Sequence, residues 1–200
     1  MPVIKESGDG IWARIVSPYS SKSIGFYFYP EVGDEVILGF LGNDPRYAII
    51  VGSVYSKKNP PPNTPENKNE LKSIVTKSKM KIDFQEKDKI ISMETPGGQK
   101  ITLDDKAKAV KIEDQNKNLV SMTDKGITMQ SGKDIVLKAK GKITISSVGN
   151  TTVSSKADVS LAGNNVKSKA KIALKAEGAA SAELKASGKV VIKGSMVNIN

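Results

Sequence analysis

The chain has no cysteine and no histidine, and only two of its 31 basic residues, Arg14 and Arg46, are arginines. Without cysteine there are no disulfides and no thiolate chemistry. Without histidine the commonest metal ligand and the usual neutral-pH proton shuttle are gone. No apolar run reaches the ~18 residues of a membrane-spanning helix. The N-terminal residues lack the basic-then-apolar profile of a signal peptide, so the sequence reads as encoding neither a span nor conventional secretion. Few enzymes start from such an inventory.

Aromatics and prolines are scarce in most of the chain, and their scarcity is uneven. Nine of ten aromatics precede residue 56, and only Phe84 follows. Eight of nine prolines precede residue 66, the exception being Pro96. Beyond that point hydrogen-bonded ladders run without the interruption proline imposes. The composition predicts a globular front and a back that is nearly all strand.

What the back does contain is a count. Between Gly126 and Asn200 apolar pairs one residue apart fall at Ile127/Met129, Ile135/Leu137, Ile143/Ile145, Thr151/Val153 and Val159/Leu161, eight residues from pair to pair. After Leu161 the count slips and recovers, through Val166, Ile172/Leu174, Ala182/Leu184, Val190/Ile192 and Val197/Ile199. Each unit has room for one strand and one corner, so successive units must stack or intertwine to bury anything. Glycines 132, 141, 149, 163, 178, 188 and 194 fall between the pairs. They mark corners that need positive φ or room for a close neighbour. The alanine-rich stretch Ala176–Ala186 has helix propensity, but the corner spacing on both sides predicts strand.

Ordering eight residues outweighs the burial of two aliphatic side chains, so one unit cannot fold alone. Either a single-chain β-solenoid of three faces per coil or several chains wound about one axis could meet the deficit. Residues 126–200 carry 12 lysines against Asp134, Asp158, Glu177 and Glu183. Lysines alternating with apolar residues read as the solvated face of each strand, deterring edge pairing, in preference to an attraction for nucleic acid or an anionic membrane.

The front predicts a small antiparallel, OB-like barrel over residues 1–58. Its strands are Trp12–Val16, Gly25–Tyr29, Glu35–Phe40 and Ala48–Tyr55, separated by glycine-, serine- and proline-bearing turns. An extended Pro/Asn-rich linker over 59–69 includes Asn59-Pro60-Pro61-Pro62-Asn63-Thr64-Pro65. A transition β region over 70–130 carries strands at Met80–Phe84, Ile90–Met93, Ile101–Leu103, Val110–Ile112, Leu119–Met122 and Ile127–Met129. The periodic segment proper occupies 131–200.

Glu31, Asp34 and Glu35 could be an acid/base or metal cluster, but Gly33 among them favours a turn entering a strand. Phe26, Tyr27, Phe28 and Tyr29 could stack nucleic-acid bases. Alternation instead puts one pair in the core and the other on the surface. The sequon Asn150-Thr151-Thr152 is a short match expected by chance. Walker loops, dinucleotide fingerprints, metal-ligand spacings and nucleophile–base pairs are absent from the sequence.

At this point the residues resemble a known family. The run Gly25-Phe26-Tyr27-Phe28-Tyr29-Pro30-Glu31-Val32-Gly33-Asp34-Glu35-Val36 is one carrier of the likeness. The others in the front are Gly42-Asn43-Asp44-Pro45-Arg46 and Val51-Gly52-Ser53-Val54-Tyr55-Ser56-Lys57-Lys58-Asn59-Pro60-Pro61. Together they are similar to the OB domain of VgrG proteins and of the central spikes of contractile phage tails and extracellular injection systems. Thr95–Asp105 resembles the start of their needle, and Lys193–Asn200 its blunt end. The resemblance implies an all-β fold in which an OB barrel is followed by an intertwined, trimeric, triple-stranded β-helix, or β-prism.

The same resemblance implies a homotrimer driven through an envelope by a contracting sheath, while the residue inventory itself leads to the expectation of no cofactor, catalytic group or metal. Partners would be a PAAR-type tip protein on Met196, Val197, Asn198, Ile199 and Asn200, a hub and inner tube with the baseplate, and transiently the target membrane, with no specific nucleic acid. The needle core would be Ile127, Met129, Ile135, Leu137, Ile143, Ile145, Val153, Val159, Leu161, Ile172, Leu174, Val190 and Ile192. The protein would assemble in the bacterial cytoplasm within an injection particle and then be delivered outside. Full members carry a hub before the barrel and usually a first barrel strand. Met1–Gly10 is too short for the hub and a poor match to that strand, so the sequence reads as a fragment, an engineered piece or a split gene product. Two alternatives are a basic β-solenoid that binds nucleic acid, carbohydrate or a cell surface, and a hydrolase using Glu31 or Glu35.

Overall fold

A computed structural model describes residues 10–199. The chain divides into two compact units, one running through Lys138 and the other from Ala139. Met1–Gly10, read above as a poor match to a barrel strand, lies almost wholly outside the described residues.

The front of the first unit is an open arrangement of short strands. A three-stranded sheet is ordered β1 (Arg14–Ile15), β5 (Ala48–Ser53), β4 (Val36–Phe40), with β1 parallel to β5 and β4 antiparallel to it. A two-stranded ribbon pairs β2 (Ser20–Ser21) with β3 (Ile24–Gly25). At Gly25, with φ +144°, an added Cβ would strike the Tyr19 carbonyl oxygen, so only glycine fits there. Residues Phe26–Tyr29, read as strand from the sequence, leave the ladder after the Phe26 N–H donates to the Tyr19 carbonyl at 3.0 Å. A single helical turn at Leu41–Asn43 joins β4 to β5. Ala48 is the one buried apolar residue of this front among those described, so no barrel core closes within one chain.

From Leu71 the chain forms a seven-stranded antiparallel meander. Its strands are β6 (Leu71–Val75), β7 (Lys81–Gln85), β8 (Ile90–Glu94), β9 (Lys100–Asp104), β10 (Ala109–Glu113), β11 (Leu119–Thr123) and β12 (Gly126–Gln130), each paired with the next. Six of these are the strands expected from the sequence, and β6 is additional. The first five connections alternate between five residues (76–80, 95–99, 114–118) and four (86–89, 105–108), so the hairpin recurs every 19 residues, at 71, 90 and 109, and the last connection shortens to two residues (124–125).

The repeat is chemical as well as spatial. In each five-residue loop the first side chain accepts the N–H four residues on: Met80 to Thr76 Oγ1 at 3.2 Å, Gln99 to Thr95 Oγ1 at 3.4 Å, Asn118 to Asp114 Oδ1 at 2.9 Å. In each, the fourth residue takes positive φ: Lys79, Gly98 and Lys117. The strand-to-strand spacing the sequence presents as loose is this alternation of two loop lengths.

From Ala139 onward the chain makes no strand pairing and, among the described residues, no backbone hydrogen bond to itself. It has a strict rhythm nonetheless. Including the lead-in, sharp backbone bends fall at 132–133, 140–141, 148–149, 156–157, 163–164, 171–172, 179–180, 187–188 and 195. The interval is eight throughout, except for the seven residues between 156 and 163. The alanine-rich stretch 176–186 is not helical. The corner glycines do not take positive φ. Their other expected role holds at Gly194, where a Cβ would lie 3.0 Å from the Met196 carbonyl oxygen, closer than a side chain tolerates.

Candidate assembly interface

Direct cross-strand partners share a face of a sheet, so the register of the meander sorts its residues without ambiguity. One face carries a central polar row, Ser73, Asp83, Ser92, Thr102, Lys111, Ser121 and Thr128, one residue from each strand. Asp83, Ser92 and Ser121 are buried. Asp83 is fully engaged: Ser73 donates its hydroxyl to Oδ1 at 2.6 Å, and Lys81 Nζ lies 3.0 Å from Oδ2. The bond to Asp83 raises the Lys81 pKa, and the Asp83 charge adds to the effect against the opposing desolvation. The linker reaches this row as well, since Asn63 Nδ2 donates to Ser73 Oγ at 2.7 Å.

The other face is apolar from edge to edge. One row runs Phe84, Ile91, Leu103, Val110, Met122, Ile127, and the next runs Ile74, Ile82, Met93, Ile101, Ile112, Val120, Met129. Lys72, beside Phe84 at the β6 edge, is the single polar residue in these rows. Most of these side chains are exposed, including those on the central strands. Toward the five-residue loops the face hollows into a concavity of about 660 Å³, lined by Met93, Ile101, Ile112, Val120, Met129 and Ile135 among others. A soluble chain does not leave an area of this extent and continuity open to water; such a face marks an interface.

The periodic segment makes the same demand. Its apolar residues expected inside, Ile143, Ile145, Val153, Val159, Leu161, Leu174, Val190 and Ile192, are all exposed in the single chain, as are Ile135 and Leu137 just before it. Ile127 and Met129, expected in a needle core, lie on β12 and belong to the open face of the meander. Ile172 lies at a bend and is almost wholly exposed. A single-chain solenoid would pair each unit with the next through its own backbone. No such ladder exists within residues 139–199, so the structure does not show a single-chain solenoid there.

The seven-residue interval explains the slip in the sequence. Inward candidates are odd-numbered before it (Ile143, Ile145, Val153, Val159, Leu161) and even-numbered after it as far as Ile192 (Val166, Leu174, Leu184, Val190, Ile192), whereas the last pair, Val197/Ile199, returns to odd numbers. Because side chains alternate along an extended chain, dropping one residue at Gly163-Asn164 reverses the numbering parity while the same side stays apolar. At the C-terminal end Met196, Val197, Asn198 and Ile199 are exposed, and Asn200 lies outside the described residues.

The acidic cluster at the front is occupied by turn chemistry. Asp34 Oδ2 accepts the Glu31 N–H at 2.8 Å, and the Asp34 N–H donates to the Glu31 carbonyl at 3.0 Å. Glu31 pairs with Lys77 at 2.7 Å and raises the lysine's pKa. Asp44 is likewise bound by Arg46, which holds its carboxyl below the ordinary value. The described residues contain no group of carboxylates arranged to hold a metal. Tyr27 and Tyr29 do share a side, with ring centroids 4.7 Å apart. All four consecutive aromatics are exposed, however, so neither pair is core within one chain.

Comparison with known proteins finds matches at the front and in the middle of the chain. Residues 1–55 match the family model of the type VI secretion system/phage-baseplate injector OB domain. Residues 90–168, from β8 into the periodic segment, match the phage baseplate V C-terminal trimerisation domain. Among individual proteins, the actin cross-linking toxin VgrG1 of Vibrio cholerae serotype O1 is 41% identical over 58 residues, which is 28% of this chain and 5% of the toxin. The type VI secretion system spike protein VgrG5 of Pseudomonas aeruginosa is 38% identical over 58 residues, 28% of this chain and 7% of that protein. The aligned segment is thus a small part of either relative. Through an OB-type front and a trimerisation region matched in turn along an all-β chain, the protein is similar to the VgrG and phage-baseplate spike proteins.

Proposed function

We propose that this chain is the non-enzymatic central spike of a contractile injection machine, working as a homotrimer that pierces a target envelope. The observation that carries the reading is the pair of unsatisfied surfaces: an apolar sheet face open to water, and some sixty residues with eight-residue corners and no backbone partner of their own. Three copies wound about one axis give both what they lack. The meanders cover one another's apolar faces, and the periodic segments exchange ladders around a dry core. Such a body resists bending because each strand is bonded to a different chain. The domain arrangement that serves this is an OB-type collar over 1–58, a linker over 59–69, the meander over 70–130 and the needle over 131–200.

The tip, Met196–Asn200, docks a PAAR-type cone, and the opposite end meets hub, inner tube and baseplate proteins. The particle assembles in the bacterial cytoplasm and carries the spike outward. No helix among the described residues is long and apolar enough to cross a membrane, in keeping with delivery by the machine. Co-purification with a PAAR-repeat protein tests the tip. Val197→Asp with Ile199→Asp should abolish capture while the particle mass stays unchanged, and undiminished capture would contradict the assignment.

A further inference from the structure

We infer that the outer face of the periodic segment is an electrostatic docking surface for anionic phospholipid bilayers, built from lysine alone. This rests on the spike reading above, which brings the segment against an envelope, and adds what the segment recognises there.

The sign of the charge is the first observation. Residues 139–200 contain ten lysines, no arginine and three acidic residues, whereas residues 70–130 contain twelve lysines and ten acidic residues. Both regions must solvate their strands and discourage edge pairing, and the meander does so with nearly balanced charge. Solvation therefore does not require the excess. The meander's lysines are also neutralised locally, as in Lys72–Glu86 and Lys106–Asp88. In the periodic segment the one ion pair among the described residues is Lys185–Glu183, at 4.0 Å and exposed.

Placement is the second observation. Before the seven-residue interval, Lys140, Lys142 and Lys156 are even-numbered, opposite to the apolar set. After it, all seven remaining lysines, from Lys167 to Lys193, are odd-numbered, again opposite. The lysines thus change parity at the point where the apolar residues do, so the whole excess stays on one side of the strand through the phase change. In a trimer that side faces out on all three copies.

The ligand follows from the chemistry of the face. It has no aromatic ring for base stacking and no guanidinium for bidentate phosphate recognition. Its lysines are mobile point charges suited to a diffuse layer of headgroups, an attraction screened within about 8 Å at physiological salt. With the segment's alternating apolar residues turned inward, attachment is peripheral and reversible by salt.

The test is co-sedimentation of the full chain with phosphatidylcholine vesicles, with and without phosphatidylglycerol, at low and high salt, with mass measured on the same sample. Binding should require phosphatidylglycerol and vanish at high salt. Joint replacement Lys167→Gln, Lys169→Gln and Lys171→Gln should weaken it roughly tenfold or more. The meander variant Lys87→Gln, Lys117→Gln and Lys125→Gln should bind as the parent does. Equal binding to both vesicle types, no binding to either, equal loss in both variants, or tighter capture by duplex DNA at the same salt would overturn the inference. A trimer that ignores anionic vesicles sinks this inference alone. A monomeric sample sinks the spike reading and this inference with it.

Discussion

Met93 and Ile101 lie directly opposite each other across the β8–β9 pair, near the middle of a seven-stranded sheet, yet they are 41% and 36% exposed. Central strands normally carry the most buried residues of a sheet. In the proposed trimer the layer that covers this face comes from other copies of the chain.

Ile101→Asp should therefore place three charges in the shared interior and reduce the particle to single chains, because an unpaired buried charge is expensive. Thr102→Asp, on the polar face one residue away, should leave the mass unchanged. Size-exclusion chromatography with light scattering reads both, and equal behaviour would contradict the assignment of faces.

The phase change makes a prediction that a uniform eight-residue repeat would not. In the proposed needle, numbering parity puts Val136 and Val191 on the outward side, next to inward Leu137 and Val190, although one outward valine is even-numbered and the other odd. Leu137→Asp and Val190→Asp should break assembly, while Val136→Asp and Val191→Asp should be tolerated. Within one unit Ile143→Asp or Ile145→Asp should abolish the trimer, and Lys142→Ala should be nearly silent.

Asp83 should be a stability residue with no part in any reaction. Asp83→Ala removes the acceptor for the Ser73 hydroxyl and the partner of Lys81. It should lower stability by about 1–3 kcal/mol per chain. Ser73→Ala, which deletes a donor from a carboxylate that keeps Lys81, should fall at the lower end. Denaturant titration at matched chain concentration measures both.

The loop at Asp114 sets a pH dependence. Its carboxylate accepts the Asn118 backbone N–H and bonds from the Asn118 and Asn116 side chains, which lower its pKa from the ordinary aspartate value against a smaller desolvation effect. A carboxyl group whose folded pKa is lowered stabilises the loop fully above its unfolded pKa. That contribution is lost as pH falls through the folded value. A carboxyl-carbon NMR titration should place the Asp114 midpoint below that of an ordinary aspartate, and an ordinary or raised midpoint would contradict the geometry.

Much of this fold was legible because β-structure writes its facing into alternate residues. Ile90–Met93, Leu119–Met122 and the eight-residue count were readable directly, and so was the slip after Leu161. The 19-residue hairpin repeat was hidden because its loops share geometry with little sequence: Thr76, Thr95 and Asp114 do one job, and Lys79, Gly98 and Lys117 another. β6 was missed because Leu71-Lys72-Ser73-Ile74-Val75 is short and follows directly on the linker. Phe26–Tyr29 misled in the other direction, since four aromatics carry strong strand propensity while Gly25 turns the chain out of its pair. Open faces also read as core from sequence, because hydrophobicity does not tell which copy of a chain will cover it.

Sedimentation equilibrium of the purified full chain decides whether the fold is shared among copies. A single species of three times the 21.4 kDa chain mass is expected, with β-structure that is lost when the trimer dissociates. A stable, folded species of one-chain mass, with residues 139–199 protected from proteolysis, would contradict it.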